Sequence, residues 1–103
     1  MMLLLALFSA LAPAPDLLYC SNQDGDFDLY VRSASGERRL VDLRGDETWP
    51  RWSPDGERVL FVWERDGKSN LAVIAASGEG EVTLLTDDGV TSEGAWSPDG
   101  SRV

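Results

Sequence analysis

The sequence predicts an all-β chain built from repeated four-stranded antiparallel units, and three observations carry that prediction. The pentapeptide Trp52-Ser53-Pro54-Asp55-Gly56 returns as Trp96-Ser97-Pro98-Asp99-Gly100. Matching residues fill the interval between the two copies. Outside an apolar leader, no stretch places apolar residues at i, i+3, i+4 and i+7 over enough length to suggest a helix.

Tyr19 aligns with Phe61, Asp24-Gly25 with Asp66-Gly67, Leu29 with Leu71, Val31 with Val73, and Ser35-Gly36 with Ser77-Gly78, all 42 residues apart. Past a two-residue insertion near Gly80 the offset becomes 44, which aligns Gly45 with Gly89 and the two pentapeptides. A period of this size holding several short strands is the signature of a β-propeller blade. Drawn through the pentapeptides, the units are a first blade over 17–52, a second over 53–96 and the start of a third over 97–103.

Each unit reads as strand and turn throughout. Val59 to Trp63 is β-branched and aromatic, Asp66-Gly67 is a tight-turn pair, and Leu71 to Ile74 resumes an apolar run, which together make a hairpin. Ser77-Gly78 supplies the next turn, Val82 to Leu85 a third strand, and Ala95-Trp96 the strand entering the next pentapeptide. In the first unit the same order gives Leu17 to Ser21, Phe27 to Arg32, Arg39 to Asp42 and Thr48 to Trp52.

The Ser-Pro-Asp-Gly element has a mechanical reading. Proline presets φ for a turn, aspartate accepts local backbone N–H bonds, and glycine takes the positive φ that other residues resist. The tryptophan before it is large enough to fill a gap between neighbouring sheets and has one N–H to satisfy. Trp52 and Trp96 are therefore expected in the core, and Trp49, on the same strand as Trp52, is expected to share its layer.

Met1 to Ala12 is leucine-rich and is followed by Pro13-Ala14-Pro15 and the first charge, Asp16, so residues 1–14 read as a secretory signal peptide too short to span a bilayer. The competing reading is a buried N-terminal strand or helix. Export would place the mature chain in the periplasm or outside the cell, with no transmembrane segment.

Composition narrows the chemistry. With 9 Lys and Arg against 18 Asp and Glu, the net charge is -9, so phosphate backbones would be repelled and nucleic acid is a poor partner. Histidine is absent, which removes Ser-His-Asp and Cys-His nucleophile pairs and imidazole metal ligation. A single cysteine, Cys20, excludes an intrachain disulfide and is expected in a strand as a small apolar residue.

No catalytic, metal-binding or cofactor-binding residue is assigned. Asp24, Asp26 and Asp28 alternate like a calcium loop, but an EF-hand starting at Asp24 needs Gly and Glu where Leu29 and Ser35 stand, so a turn with solvated carboxylates is expected. Ser53 and Ser97 lack a base nearby and lack the Gly-x-Ser-x-Gly elbow. Loops at one end of such units make partner contacts, which nominates Asp46 and Glu47 and the matching Asp87, Asp88 and Glu93.

The succession Trp-Ser-Pro-Asp-Gly, apolar strand, Asp-Gly, Leu29-Tyr30-Val31, Ser-Gly and short apolar strand resembles the propeller repeats of the TolB family. It covers nearly everything after Asp16. The resemblance implies an exported, non-catalytic scaffold, without cofactors, that presents loops and a central funnel to other proteins. The same repeats are similar to those in propeller domains of prolyl oligopeptidase-type serine peptidases, the alternative reading, whose hydrolase domain this chain would lack. The second copy departs from the pattern at Trp63, Glu64 and Ala72.

Propellers typically have 4–8 blades, and about two are present. The chain is thus expected to be the N-terminal piece of an incomplete propeller, marginally stable alone. The remaining blades would be needed for closure, with a C-terminal segment completing the first blade.

Overall fold

Seven strands and no helix form among residues 16–103, the part of the chain described by the computed structural model. The expected signal peptide, residues 1–14, lies outside the described residues. The strands are β1 (Leu17–Ser21), β2 (Asp28–Ser33), β3 (Gly36–Val41), β4 (Asp46–Trp52), β5 (Arg58–Arg65), β6 (Lys68–Ala75) and β7 (Thr83–Leu84). They form two antiparallel sheets, ordered β1-β2-β3 and β4-β5-β6-β7.

The second sheet shows what the repeat looks like when four strands are present, since β5, β6 and β7 correspond to β1, β2 and β3. One expectation is corrected here. The sequence reading places residues 48–52 last in the first unit, whereas β4 is the first strand of the second sheet, with Trp52 opposite Val59 on β5. Its cause is the Pro-Asp-Gly reversal: a turn that tight makes the strands on either side of it hydrogen-bonded neighbours. Ala95-Trp96, expected as a strand, also has no ladder. The Ser97 N–H reaches the Arg102 carbonyl at 2.8 Å.

Apolar alternation sets the packing. Leu29, Val31 and Leu40 from the first sheet meet Val59, Phe61, Ala72 and Ile74 from the second in one core, with Cys20, Trp52 and Trp63 at its margin. The intervening residues of β5 and β6, Leu60, Val62 and Leu71, point the other way and gather with Val73 and Trp96. Phe61 is fully buried, and its truncation to alanine would cost about 3–5 kcal/mol by the usual cavity argument. Tyr19 and Tyr30, cross-strand partners, stack at 5.8 Å between ring centroids.

The two Ser-Pro-Asp-Gly turns share a hydrogen-bond pattern. In the first, the Ser53 hydroxyl donates to Asp55 at 2.6 Å and accepts from the Arg58 N–H at 2.9 Å, while Asp55 also accepts from the Glu57 N–H at 3.0 Å. The second repeats this with Ser97 to Asp99 at 2.8 Å, Arg102 N–H to Ser97 at 3.0 Å and Ser101 N–H to Asp99 at 3.0 Å. The donors hold both carboxyls below the usual range: the Ser53 hydroxyl leads for Asp55, and the Ser101 backbone N–H leads for Asp99, whose pKa falls to about 2.

Trp49 does not share the layer of Trp52. They stand three positions apart, and a register shift between Thr48 and Arg51 inserts a bulge that Pro50, lacking an N–H, tolerates. Trp49 takes φ of 52° and is 65% exposed.

Two measurements test this account. Ser53→Ala leaves the Arg58 N–H without its acceptor at a buried position and should lower unfolding free energy by about 1–3 kcal/mol in a denaturant titration, with Ser97→Ala costing less because that turn is more exposed. Gly67→Ala, at φ 77° with open space around it, should cost about 1–2 kcal/mol. Gly45→Ala should cost more, because its Cβ would run into the Glu64 carbonyl. Equal losses at the two glycines would contradict the packing of the β3–β4 loop on β5.

Candidate functional site

Strands that alternate in direction bring their connections to two opposite ends. At one end lie both Ser-Pro-Asp-Gly turns and the β2–β3 turn, cross-tied by Arg38 to the Ala76 and Ser77 carbonyls and by Arg58 to the Gly100 carbonyl at 2.9 Å. At the other lie the β1–β2 and β5–β6 turns, the β3–β4 loop and the loop after β7. Arg44 pairs there with Asp66 at 2.9 Å, and the Trp63 indole N–H donates to the Arg44 carbonyl at 2.9 Å. All five nominated acidic residues belong to this second end.

Their environments differ. Asp87 and Glu93 are exposed. Asp88 is exposed but internally committed: it accepts from the Thr91 hydroxyl at 2.7 Å and from the Val90 and Thr91 N–H groups, and these bonds, the Thr91 hydroxyl foremost, lower its pKa. Asp46, half-buried, caps the Phe27 N–H at 2.9 Å. Glu47 is a different kind of residue. It is 0% exposed, with its N–H bonded to the Phe27 carbonyl at 2.8 Å, so its side chain lies between the sheets and not on a loop surface.

The alternating aspartates are also split. Asp24 accepts from the Tyr30 hydroxyl at 2.9 Å and from Arg39 at 3.2 Å, whereas Asp28 is buried, with Arg39 3.4 Å from one oxygen. Burial raises the Asp28 pKa, and Asp26 adds to the rise. Among the described residues no group of three or more His, Cys, Asp or Glu side chains is placed to hold a metal ion. The hydroxyls of Ser53 and Ser97 are spent on their own turns.

Sequence reasoning missed the surface feature of this end. Trp49 and Glu93 occupy equivalent repeat positions, 44 apart, and line one open recess of about 680 Å³ with Arg51, Ser92, Gly94 and Ala95. The odd separation of Trp49 from Trp52 was one signal that the two do not share a face. Pro50, which marks an interrupted strand, was another.

Two facing antiparallel sheets, each entered or followed by a Trp-Ser-Pro-Asp-Gly hairpin, define consecutive blades of a β-propeller. No family model matches the chain. It is 30% identical over 93 residues to the Tol-Pal system protein TolB of Alcanivorax borkumensis, covering 84% of this chain and 21% of that protein. With TolB of Nitrosomonas europaea the identity is 35% over 83 residues, 79% of this chain and 19% of that protein. A solved structure described as TolB from Agrobacterium tumefaciens superposes with a TM-score of 0.61 at 25% identity, over 74% of this chain and 32% of that one. The chain belongs to the TolB-type β-propeller repeat family. It is also 40% identical over 70 residues to the uncharacterized peptidase YuxL of Bacillus subtilis, which covers 66% of this chain and 9% of that protein. The chain thus spans only a small part of each of these relatives.

The bulge makes its own prediction. Trp49→Gly removes a side chain from a left-handed backbone position and should leave stability unchanged or raise it by about 1 kcal/mol. A clear loss in thermal denaturation would show that the indole packs on the chain after all.

Proposed function

We propose that the chain is part of a non-catalytic propeller scaffold that binds other proteins in the periplasm or outside the cell. The observation carrying this reading is Trp49: a large aromatic group, exposed beside a recess, at a backbone conformation that costs a non-glycine residue about 1–2 kcal/mol. Aromatic side chains with their apolar surface in water are what protein-binding surfaces are enriched in. The resemblance to TolB, described as a Tol-Pal system protein, supports both the scaffold role and the compartment. Residues 1–14 would then direct export, and further blades would complete the ring begun by the repeats over 17–52, 53–96 and 97–103.

The binding end presents Trp49 and Glu93, which line the recess together with Arg51, and the exposed Asp87 and Asp88 and half-buried Asp46 of the neighbouring loops. Such a surface suits a partner offering an apolar side chain flanked by basic residues. Ser53, Asp55, Ser97 and Asp99 keep the opposite end folded and take no part in recognition.

The match to YuxL supports one other reading, in which the propeller accompanies a serine hydrolase domain encoded after Val103. A fluorophosphonate probe decides between the two when applied to the complete polypeptide. Labelling of a serine outside this chain supports the peptidase; absence of labelling together with further Trp-Ser-Pro-Asp-Gly repeats supports the scaffold.

For the surface itself, a photo-reactive amino acid placed at position 49 or 93 should crosslink to a partner protein in cells, and one at Ser35, on the opposite end, should not. Equal crosslinking from position 35 would overturn the assignment of the binding end.

A further inference from the structure

Glu47 and Asp28 come from different sheets, β4 and β2, and meet where the second sheet begins. They are 0% and 1% exposed. Neither oxygen of Glu47 and not the Oδ1 of Asp28 meets a well-placed N–H or O–H donor. The Glu47 N–H bonds to the carbonyl of Phe27, the residue before Asp28, and this sets the two buried, unpartnered carboxyl groups beside each other. Two acceptors can bond only if one of them carries a proton.

The equivalent positions in the second unit show what the fold asks for here. Asn70 corresponds to Asp28 and Thr91 to Glu47. Asn70 accepts from the Thr86 hydroxyl and the Gly89 N–H, each at 3.0 Å, and Thr91 bonds to Asp88. Both of these positions are half-buried and carry neutral side chains, and fixed donors close the junction. In the first unit two fully buried acids stand at these positions, and Arg39, 3.4 Å from one Asp28 oxygen, is the side-chain donor that reaches them.

We infer that Asp28 and Glu47 share one proton, and that this shared proton is a pH-dependent lock between the first and second sheets. With the proton present, the Glu47 O–H donates to an Asp28 oxygen, and the start of β4 stays clamped to sheet one through the Glu47 N–H and the Asp46 carboxylate on Phe27. When the proton leaves to water, two buried carboxylates face one another. Arg39, on β3, relieves Asp28 only in part, because the guanidinium that stands 3.4 Å from Asp28 also faces Asp24 at 3.2 Å and Asp42 at 3.6 Å. The other groups around the pair are acidic too: Asp26 on the β1–β2 turn, Asp42 after β3 and Asp46 on β4. The Leu43 backbone N–H is the one neighbour that favours a charged Glu47.

Burial first, then the Asp28 charge, push the Glu47 pKa up from 4.5 to about 9. Because the folded state holds the proton more tightly than the unfolded chain, the stabilisation is complete below about 4.5 and is lost as pH rises towards 9. One proton difference changes the unfolding equilibrium about tenfold per pH unit across that window.

The test compares unfolding of the wild type and Glu47→Gln from about pH 6 to about pH 10. The glutamine amide donates to Asp28 as the protonated acid does, at every pH. The wild type should lose stability about tenfold per unit relative to the variant up to about pH 9, and parallel profiles would overturn the proposal. Infrared spectroscopy of the wild type gives an independent reading should the variant fail to fold. A protonated carboxyl band should be present at neutral pH and vanish with a midpoint near 9, and its absence at neutral pH would overturn the proposal. Asp28→Asn should move that midpoint downward by removing the facing charge; an unmoved midpoint would show that the two groups do not form a pair.

Discussion

Val59 and Phe61 on one face of β5, and Leu60 and Val62 on the other, are all buried, so this strand has no solvent side. A sheet covered on both faces needs a neighbour on each. The first sheet covers one face. Among the described residues the other is covered by the segment around Gly94 to Trp96, where a Cβ on residue 94 would come within 2.8 Å of Leu71 and the Trp96 indole N–H reaches the Arg51 carbonyl at 3.2 Å. Arg58 secures the same segment, with its guanidinium 4.6 Å from the Trp96 ring centre. Burial therefore propagates from unit to unit, and each Trp-Ser-Pro-Asp-Gly docks its tryptophan against the preceding sheet.

That dependence explains why the turns are built from their own side chains. A hairpin that must fix the next sheet at a set distance cannot rely on water to satisfy its backbone. Serine and aspartate close the loop internally, and the same five residues recur at both places with the same bonds. The glycine supplies the left-handed φ, 73° in the first turn and 76° in the second.

Much of this was legible in the sequence because strands and turns have local causes. The β-branched run over β5, the Asp66-Gly67 reversal and the repeat offset all survive in the structure. What was not legible was where a unit starts. A period has the same length wherever it is cut, so the pattern could not say whether residues 48–52 close one sheet or open the next; only pairing with β5 decides it. Trp49 was misplaced because a bulge leaves no periodic trace, and its odd separation from Trp52 already argued against a shared face. Glu47 was read as a loop residue because charge predicts exposure, and its burial comes from the packing of β4 on another sheet, which no local pattern records.

Comparing the two units position by position separates what the fold needs from what it leaves free. Identity concentrates where side chains serve the backbone, in tryptophan, serine, proline, aspartate and glycine at the pentapeptide end. At the opposite end the equivalent pairs diverge in chemistry: Asp28 with Asn70, Glu47 with Thr91, Trp49 with Glu93. The backbone there still makes the same bond in both units, from the N–H of Glu47 to Phe27 and from the N–H of Thr91 to Ser69. Because that bond uses main-chain atoms alone, the side chains are released from holding the junction. Individuality can therefore collect at this end without loss of the repeat, so the recognition and the pH response proposed above would share one end while the pentapeptide end serves construction.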